Sequence, residues 1–330
     1  MAKLLRRVAA GLHVAIIATA AAASCGAPHA ARAAETITLG APGAPTGTLW
    51  PLLIGIDQGF FAAENLAIDL VFARSSASVI QQVAAGSLDL GETGVLDPVR
   101  AIDQGADVAI FCIQATPSPY GLVVKPGITS VHDLKGKLLA VGIATDIARD
   151  YLDAIFIANG MSDGDIESLP STSTSARLAA LESGAVVGAM LTAPALFRAQ
   201  SDGFVLLALA SDYPTGFPFE AISINRGWAA SHRDAAKKFL AVHAKSLAWL
   251  DDAKNRDAAI AIMAKASKES VGDVTRSLDF YRRIAFFDRD TAVSKSGMRA
   301  AIALLQRRGD IKDQLAVEKL IVPEVSSFRE

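Results

Sequence analysis

Residues Ile166–Pro194 read IESLPSTSTSARLAALESGAVVGAMLTAP. A short apolar run, Ile166–Leu169, precedes five consecutive hydroxyl residues, Ser171 to Ser175. A helical pattern follows from Ala176 to Ser183, then Gly184, then an apolar run from Val186 to Leu191 that ends at Thr192-Ala193-Pro194. Apolar runs bounded by turn residues read as strands, and a hydroxyl ahead of an amphipathic run reads as a helix N-cap. One hydroxyl is enough for a cap, so this turn carries more than capping needs.

The same order occurs earlier, in Ile68–Gly94, IDLVFARSSASVIQQVAAGSLDLGETG. Ile68–Phe72 is strand-like, Arg74-Ser75-Ser76-Ala77-Ser78 is a hydroxyl-rich turn, Val79–Ala85 is helical, and Gly86 precedes a strand from Leu88 to Gly91 ending at Glu92-Thr93-Gly94. Gly86 and Gly184 are 98 residues apart, and so are Ser76 and Thr174. A repeated β–turn–α–Gly–β unit predicts two similar α/β lobes with largely parallel sheets. In such units ligands sit beyond the carboxyl ends of the strands, where helix N-termini present unpaired N–H groups and partial positive charge. Two such ends facing each other would grip a small anionic or strongly polar molecule. The alternative is ordinary capping in two unrelated units.

The chain has 330 residues, 51% of them apolar and 20% charged, enough for a substantial core. Residues 1–33 read as a signal peptide: Lys3, Arg6 and Arg7, then an apolar run from Val8 to Ala23, then small residues at Ala31 and Ala33. That run is short for a membrane span. Cys25, after Ala22-Ala23-Ser24, is a weak lipoprotein signal and the basis of a competing lipid-anchored form. Beyond residue 33 there remain 28 Lys and Arg against 34 Asp and Glu, with no basic tract, which argues against nucleic-acid binding. Cys112 is then the single cysteine, within Val108-Ala109-Ile110-Phe111-Cys112, so it reads as a core residue and no internal disulfide can form. An exported chain of this size without disulfides suits the periplasm.

Several short motifs add to the repeat. They are Leu49-Trp50-Pro51-Leu52 with Gly59-Phe60-Phe61 and Glu64-Asn65-Leu66; Val83-Ala84-Ala85-Gly86-Ser87-Leu88-Asp89-Leu90-Gly91; Asp133-Leu134-Lys135-Gly136-Lys137; and Arg177–Gly184 with Thr192-Ala193-Pro194. In this order and spacing, from about Ile37 to Trp249, the chain resembles the solute-binding proteins of bacterial ABC importers in the nitrate/sulfonate/taurine and thiamine-precursor group. The resemblance implies a type II periplasmic binding protein fold: two α/β lobes, joined by two extended crossings, that close on a ligand by a hinge motion. The crossings are expected near Ala115–Tyr120 and Tyr213–Glu220, both rich in proline and aromatics. Lobe 1 would be 34–118 plus 219–330, and lobe 2 would be 119–218. The implied partners are a small-molecule solute (sulfonate, carboxylate or pyrimidine-like) and an ABC permease in the inner membrane, with the protein itself a monomer. Two departures stand out. Val187 occupies a position that in this group is usually Asp, from which altered packing is expected, and Arg74-Ser75-Ser76 replaces a paired-glycine turn.

The expected ligand contacts follow the strand ends. Thr48 is a hydrogen-bond donor and Trp50 a stacking surface after the first strand. Ser75 and Ser76 form the first hydroxyl turn, and Thr172, Ser173 and Thr174 the second. Glu92, Thr93 and Thr192 end strands, and Thr145 opens a helix. Tyr120, Tyr213 and Phe217 flank the crossings. Arg74 and Arg149 are candidates for bidentate pairing with a sulfonate or carboxylate, set against the reading of solvated surface arginines. Glu92 points the other way, to a ligand with N–H donors or positive charge, unless it caps the helix near Asp97-Pro98. Beyond residue 33 the histidines are His132, His232 and His243, and they make no His-Glu-x-x-His spacing; the sequence also lacks a Gly-x-Ser-x-Gly elbow and a phosphate loop. No catalytic residue, cofactor or metal is therefore expected. Competing readings are a secreted sensor module with the same cleft and an enzyme with a dispersed site. Mass spectrometry of the exported chain should find Ala34 at or near its N-terminus; a diacylglyceryl group on an N-terminal Cys25 would overturn that.

Overall fold

Both repeated units fold into the elements that their punctuation implies. The structure, a computed structural model, describes residues 34–171, 173–312 and 315–330. The expected signal peptide, Cys25 and Thr172 lie outside the described residues. The first unit contains β1 (Glu35–Pro42), α1 (Trp50–Asp57), α2 (Phe60–Ala63), β2 (Leu66–Ala73), α3 (Ser76–Ala84), β3 (Leu90–Gly94), α4 (Leu96–Asp103) and β4 (Val108–Ala115). The second contains β5 (Tyr120–Val124), β6 (Leu138–Val141), α5 (Ile147–Ala158), β7 (Glu167–Pro170), α6 (Thr174–Glu182), β8 (Gly188–Thr192), α7 (Ala195–Ser201) and β9 (Val205–Leu209). The chain then adds β10 (Glu220–Asn225), α8 (Arg226–Ser231), α9 (Arg233–Asp251), α10 (Arg256–Ser267), α11 (Val271–Arg283), β11 (Val293–Ser294), α12 (Lys295–Arg307) and β12 (Phe328–Arg329).

Two five-stranded sheets result, in the orders β2-β1-β3-β10-β4 and β7-β6-β8-β5-β9. Place for place they are the same design. β1 is parallel to β2 and β3, and β6 is parallel to β7 and β8. The fourth strand of each sheet, β10 or β5, runs antiparallel to its neighbours. The sheets are therefore mixed where the sequence suggested largely parallel ones. The reason is connectivity: β5 and β10 each follow the passage from the other sheet, through residues 116–119 and 210–219, and enter against the grain of the βα units. β4 is buried along its whole length, as its unbroken apolar run requires when both faces are covered.

The register makes the repeat quantitative. Leu39 pairs with Leu90, and Leu139 with Gly188. One residue earlier, Asp89 N donates to Thr38 O at 3.0 Å, and Val187 N donates to Leu138 O at 3.0 Å. In the first sheet the Asp89 carboxylate also accepts from Thr38 N and Thr38 Oγ1, both at 2.7 Å. In the second, the equivalent Leu138 and Val187 pack as partly buried apolar residues. A polar tie is replaced by apolar burial and the backbone bond persists.

Gly86 and Gly184 end α3 and α6 with φ of +71° and +80°, the left-handed conformation that stops a helix and costs a side-chain-bearing residue free energy. Gly86→Ala and Gly184→Ala should each destabilise the protein by ~1 kcal/mol, with similar losses because the positions are equivalent. Urea denaturation checks this; a neutral effect at either position would contradict the equivalence.

Candidate functional site

The carboxyl ends of the parallel strands in the two sheets border one cavity of about 390 Å³. From the first sheet it is lined by Thr46, Thr48, Ser76, Glu92, Asp97, Phe219 and Glu220. From the second come Tyr120, Asp146, Ser173, Thr174, Ser175, Arg177, Thr192, Ala193 and Pro194. The walls touch beside it: Gly47 N donates to Ala193 O at 3.3 Å, and so does the Tyr281 hydroxyl at 3.3 Å.

The two hydroxyl turns divide their labour in the same way. Ser75 Oγ accepts from Ser78 N (3.2 Å), and Ser78 Oγ accepts in return from Ser75 N (3.2 Å), a reciprocal capping box. Ser173 Oγ accepts from Ala176 N (3.3 Å). These two serines, 98 residues apart, are the caps. The next residues, Ser76 and Thr174, open α3 and α6 and line the cavity. Because Ser173 is the cap, α6 begins at Thr174, two residues before the expected Ala176.

The wall of the second sheet is organised by Arg177, which is 2% exposed. Its Nε donates to Met190 O (2.7 Å), Nη1 to Ser171 O (3.2 Å), and Nη2 to the Tyr120 hydroxyl (3.2 Å) and Thr174 Oγ1 (3.2 Å). Asp146, which caps α5 through Ala148 N, stands 3.6 Å from Nη1. Thr174 Oγ1 and Thr192 Oγ1 are 3.1 Å apart. The arginine is thereby committed to holding the two threonines and Tyr120 in place.

The floor on the first sheet is acidic. Ile222 lies opposite Glu92, and Gly94 lies opposite Glu220, so the two glutamates are diagonal neighbours on one face of the β3–β10 ladder. They are 2% and 5% exposed. Desolvation pushes the Glu92 carboxyl up to about 7, against hydrogen bonds from Thr48, Gln114 and Glu220. Burial first, and then the Glu92 charge and hydrogen bond, hold Glu220 well above the usual carboxylate range. Two adjacent buried carboxyls cannot both ionise easily, so the pair retains a proton near neutrality and titrates as a unit. Gln114 is fixed by donating to Thr48 O at 2.8 Å. Asp97 is also raised, to about 7, by desolvation that outweighs the nearby Arg100.

Of the residues proposed from sequence, Thr48, Ser76, Glu92, Tyr120, Ser173, Thr174 and Thr192 line the cavity. Others do not. Trp50 is a core residue rather than a ligand wall: it is fully buried, its Nε1 donates to Ala259 O at 2.7 Å, and its ring meets Tyr281 edge-on. Thr93 is fully buried away from the lining, because alternate strand residues face opposite ways and Glu92 takes the cavity side. Ser75 is spent on its cap, and Arg74 is exposed outside the lining. Arg149 turns to Asp163 and Ser168 (both 3.2 Å), and exposed Thr145 offers its carbonyl to Arg100 (3.0 Å). Phe217 packs in the core, 5.7 Å from Tyr151, and half-buried Tyr213 packs against it; Phe219 lines the cavity instead. Sequence reasoning passed over Glu220, Asp97, Asp146 and Arg177. The signal for Arg177 was present as a lone charge on an otherwise apolar helix face; that for Glu220 appears only once the register is known.

Comparison with known proteins agrees with this fold. A family model described as NMT1/THI5 like matches residues 48–254. The taurine-binding periplasmic protein of Escherichia coli K12 is 26% identical over 185 residues, which are 56% of this chain and 57% of that protein. The match thus spans little more than half of that relative's length. The alkanesulfonate-binding protein SsuA from Xanthomonas axonopodis pv. citri superposes with a TM-score of 0.70 at 20% identity, covering 89% of this chain and 99% of that one. The desulfurization enzyme DszB does so with a TM-score of 0.63 at 16% identity, covering 88% and 97%. The fold is the periplasmic binding protein fold expected from the sequence.

The acid pair makes the ligand-free protein pH-sensitive in a definite direction. Glu92 and Glu220 hold protons in the folded state that the unfolded chain releases near pH 4.5, so stability falls as pH rises from there, through about 7 for Glu92 and further in the same direction for Glu220. Glu220→Gln should flatten this fall and leave the ligand-free protein more stable than wild type at pH 8. Urea denaturation at pH 5 and pH 8 reads it; identical pH slopes in both proteins would refute the pairing.

Proposed function

The chain belongs to the NMT1/THI5-like family, and from that premise we propose that it is the extracytoplasmic solute-binding component of an ABC importer. It captures a small polar organic solute between its two sheets and delivers it to a permease in the inner membrane. The observation that carries this reading is the shared cavity, into which the equivalent helices α3 and α6 bring Ser76 and Thr174 from opposite sides. Free N–H groups and partial positive charge at helix starts suit a sulfonate or carboxylate. Thr174 and Thr192, held by Arg177, add hydroxyl donors whose positions are fixed before the ligand arrives.

The moving parts are the lobes 34–118 plus 219–330 and 119–218. Solute binds one wall while they are apart, closure brings the other wall onto it, and water is excluded. The solute shifts an open–closed balance by the contacts that it makes only in the closed form. The protein works as a monomer in the periplasm without chemistry of its own; among the described residues no helix is long and apolar enough to cross a membrane.

A thermal-shift screen of sulfonates, carboxylates and pyrimidine-like compounds tests the reading, since a ligand at 100 times its Kd adds roughly 2.7 kcal/mol of stability. For whichever solute binds, Thr174→Val should weaken affinity about tenfold, the size of one lost hydrogen bond, with the fold intact by circular dichroism. Unchanged affinity would remove Thr174 from the site, and no stabilisation by any class would sink the proposal.

A further inference from the structure

The acids around the cavity differ in one respect. Asp97 is paired with Arg100 at 3.3 Å, Asp146 with Arg177 at 3.6 Å, and Glu182 and Glu269 with Arg198 at 2.8 and 3.8 Å. Glu92 and Glu220 have no ion-pair partner among the described residues. Yet these are the two that are almost wholly buried and that form the floor. Glu92 has side-chain hydrogen bonds with Thr48 and Gln114, whereas among the described residues the side-chain hydrogen bond of Glu220 is with Glu92.

The cation of the opposite wall, Arg177, is engaged with Asp146 and Tyr120 and not with either glutamate. Burial first, and then the charge of one or both of these carboxylates, raises Tyr120, Tyr281 and Cys112, so that they stay neutral at pH 7. A buried acid pair without a cation is costly unless something else supplies the positive end. The structure also places aromatic rings beside it: Tyr120 and Phe219 line the cavity, with ring centroids 5.8 Å apart in an edge-to-face pair, and because Arg177 already lies over the Tyr120 ring at 5.5 Å, the ring offered to a ligand is that of Phe219. Carboxylates next to aromatic rings form a seat for an organic cation, through charge-assisted hydrogen bonds and attraction to the ring faces.

We propose that the solute carries a basic nitrogen, a protonated amine or amidine, which sits on the Glu92–Glu220 pair against Phe219. The inference rests on the solute-binding reading above and narrows its ligand class. The rest of the solute faces Thr174, Thr192 and the start of α6. The cavity is therefore bipolar, with acid on the wall of the first sheet and hydroxyl donors on that of the second, and it orients a molecule that has a nitrogen cation at one end and an acceptor at the other. As the cation arrives, the proton held by the carboxyl pair leaves to solvent.

The test uses matched probes that differ only at the nitrogen: taurine against isethionate, β-alanine against 3-hydroxypropionate, and benzylamine against benzyl alcohol. Calorimetry on the full exported protein should show that at least one amine binds and that its hydroxyl twin binds 10-fold or more weakly, about the worth of a charged hydrogen bond. Glu220→Gln, and separately Glu92→Gln, should reduce that preference about tenfold or more, with circular dichroism and melting showing that the variants fold. If hydroxyl twins or simple sulfonates bind as well as the amines, or if both variants keep the preference, the basic nitrogen is refuted while the solute-binding reading stands. If no sulfonate, carboxylate, amine or pyrimidine-like compound binds, that reading falls and takes this inference with it.

Discussion

The chain leaves each sheet at its cavity-facing end and enters the other sheet at the same end, so the entering strand runs against the βα units there, and much of this protein follows from that constraint. It makes β5 and β10 the antiparallel fourth strands of their sheets. It puts their first residues, Tyr120 and Glu220, opposite the last residues of β8 and β3, Thr192 and Gly94. Those strand ends are where the parallel units deliver their helix starts. Connectivity, cavity and polar groups therefore meet in one place.

The repeat is close in backbone and divergent in chemistry. Ser75 and Ser173 cap equivalent helices, and Gly86 and Gly184 end them. At equivalent positions the first sheet has Glu92, Gly94 and Val79 where the second has Met190, Thr192 and Arg177. The first copy thus builds an acidic floor, and the second builds a guanidinium that props up hydroxyls. The Thr38–Asp89 tie has likewise become Leu138 and Val187, with the same backbone bond beneath.

The elements were legible in the sequence because they depend on local signals: apolar runs, a capping hydroxyl, a glycine at a left-handed position. The repeat was legible because those signals recur at one spacing. The site was half legible. Ser76, Ser173, Thr174, Thr192 and Glu92 sit at strand ends and helix starts, which local pattern can find. Trp50 was misread because its loop winds straight into α1 and turns the indole onto Ala259, more than 200 residues away in sequence. Glu220 was missed because its role comes from diagonal pairing with Glu92, and register between distant strands leaves no local trace. Arg149 was chosen from sequence and Arg177 was not; only the fold shows the first engaged with Asp163 and Ser168 and the second buried at the cavity.

Glu220 and Tyr120 are also the first strand residues after the chain changes sheet. A molecule held by both would rest on the two connectors themselves, like a pin through a clasp, and would not hang from the periphery of either sheet. Appetite for a given solute and stiffness of the joint would then be written in the same residues. Natural variation at these two positions would have to satisfy both at once.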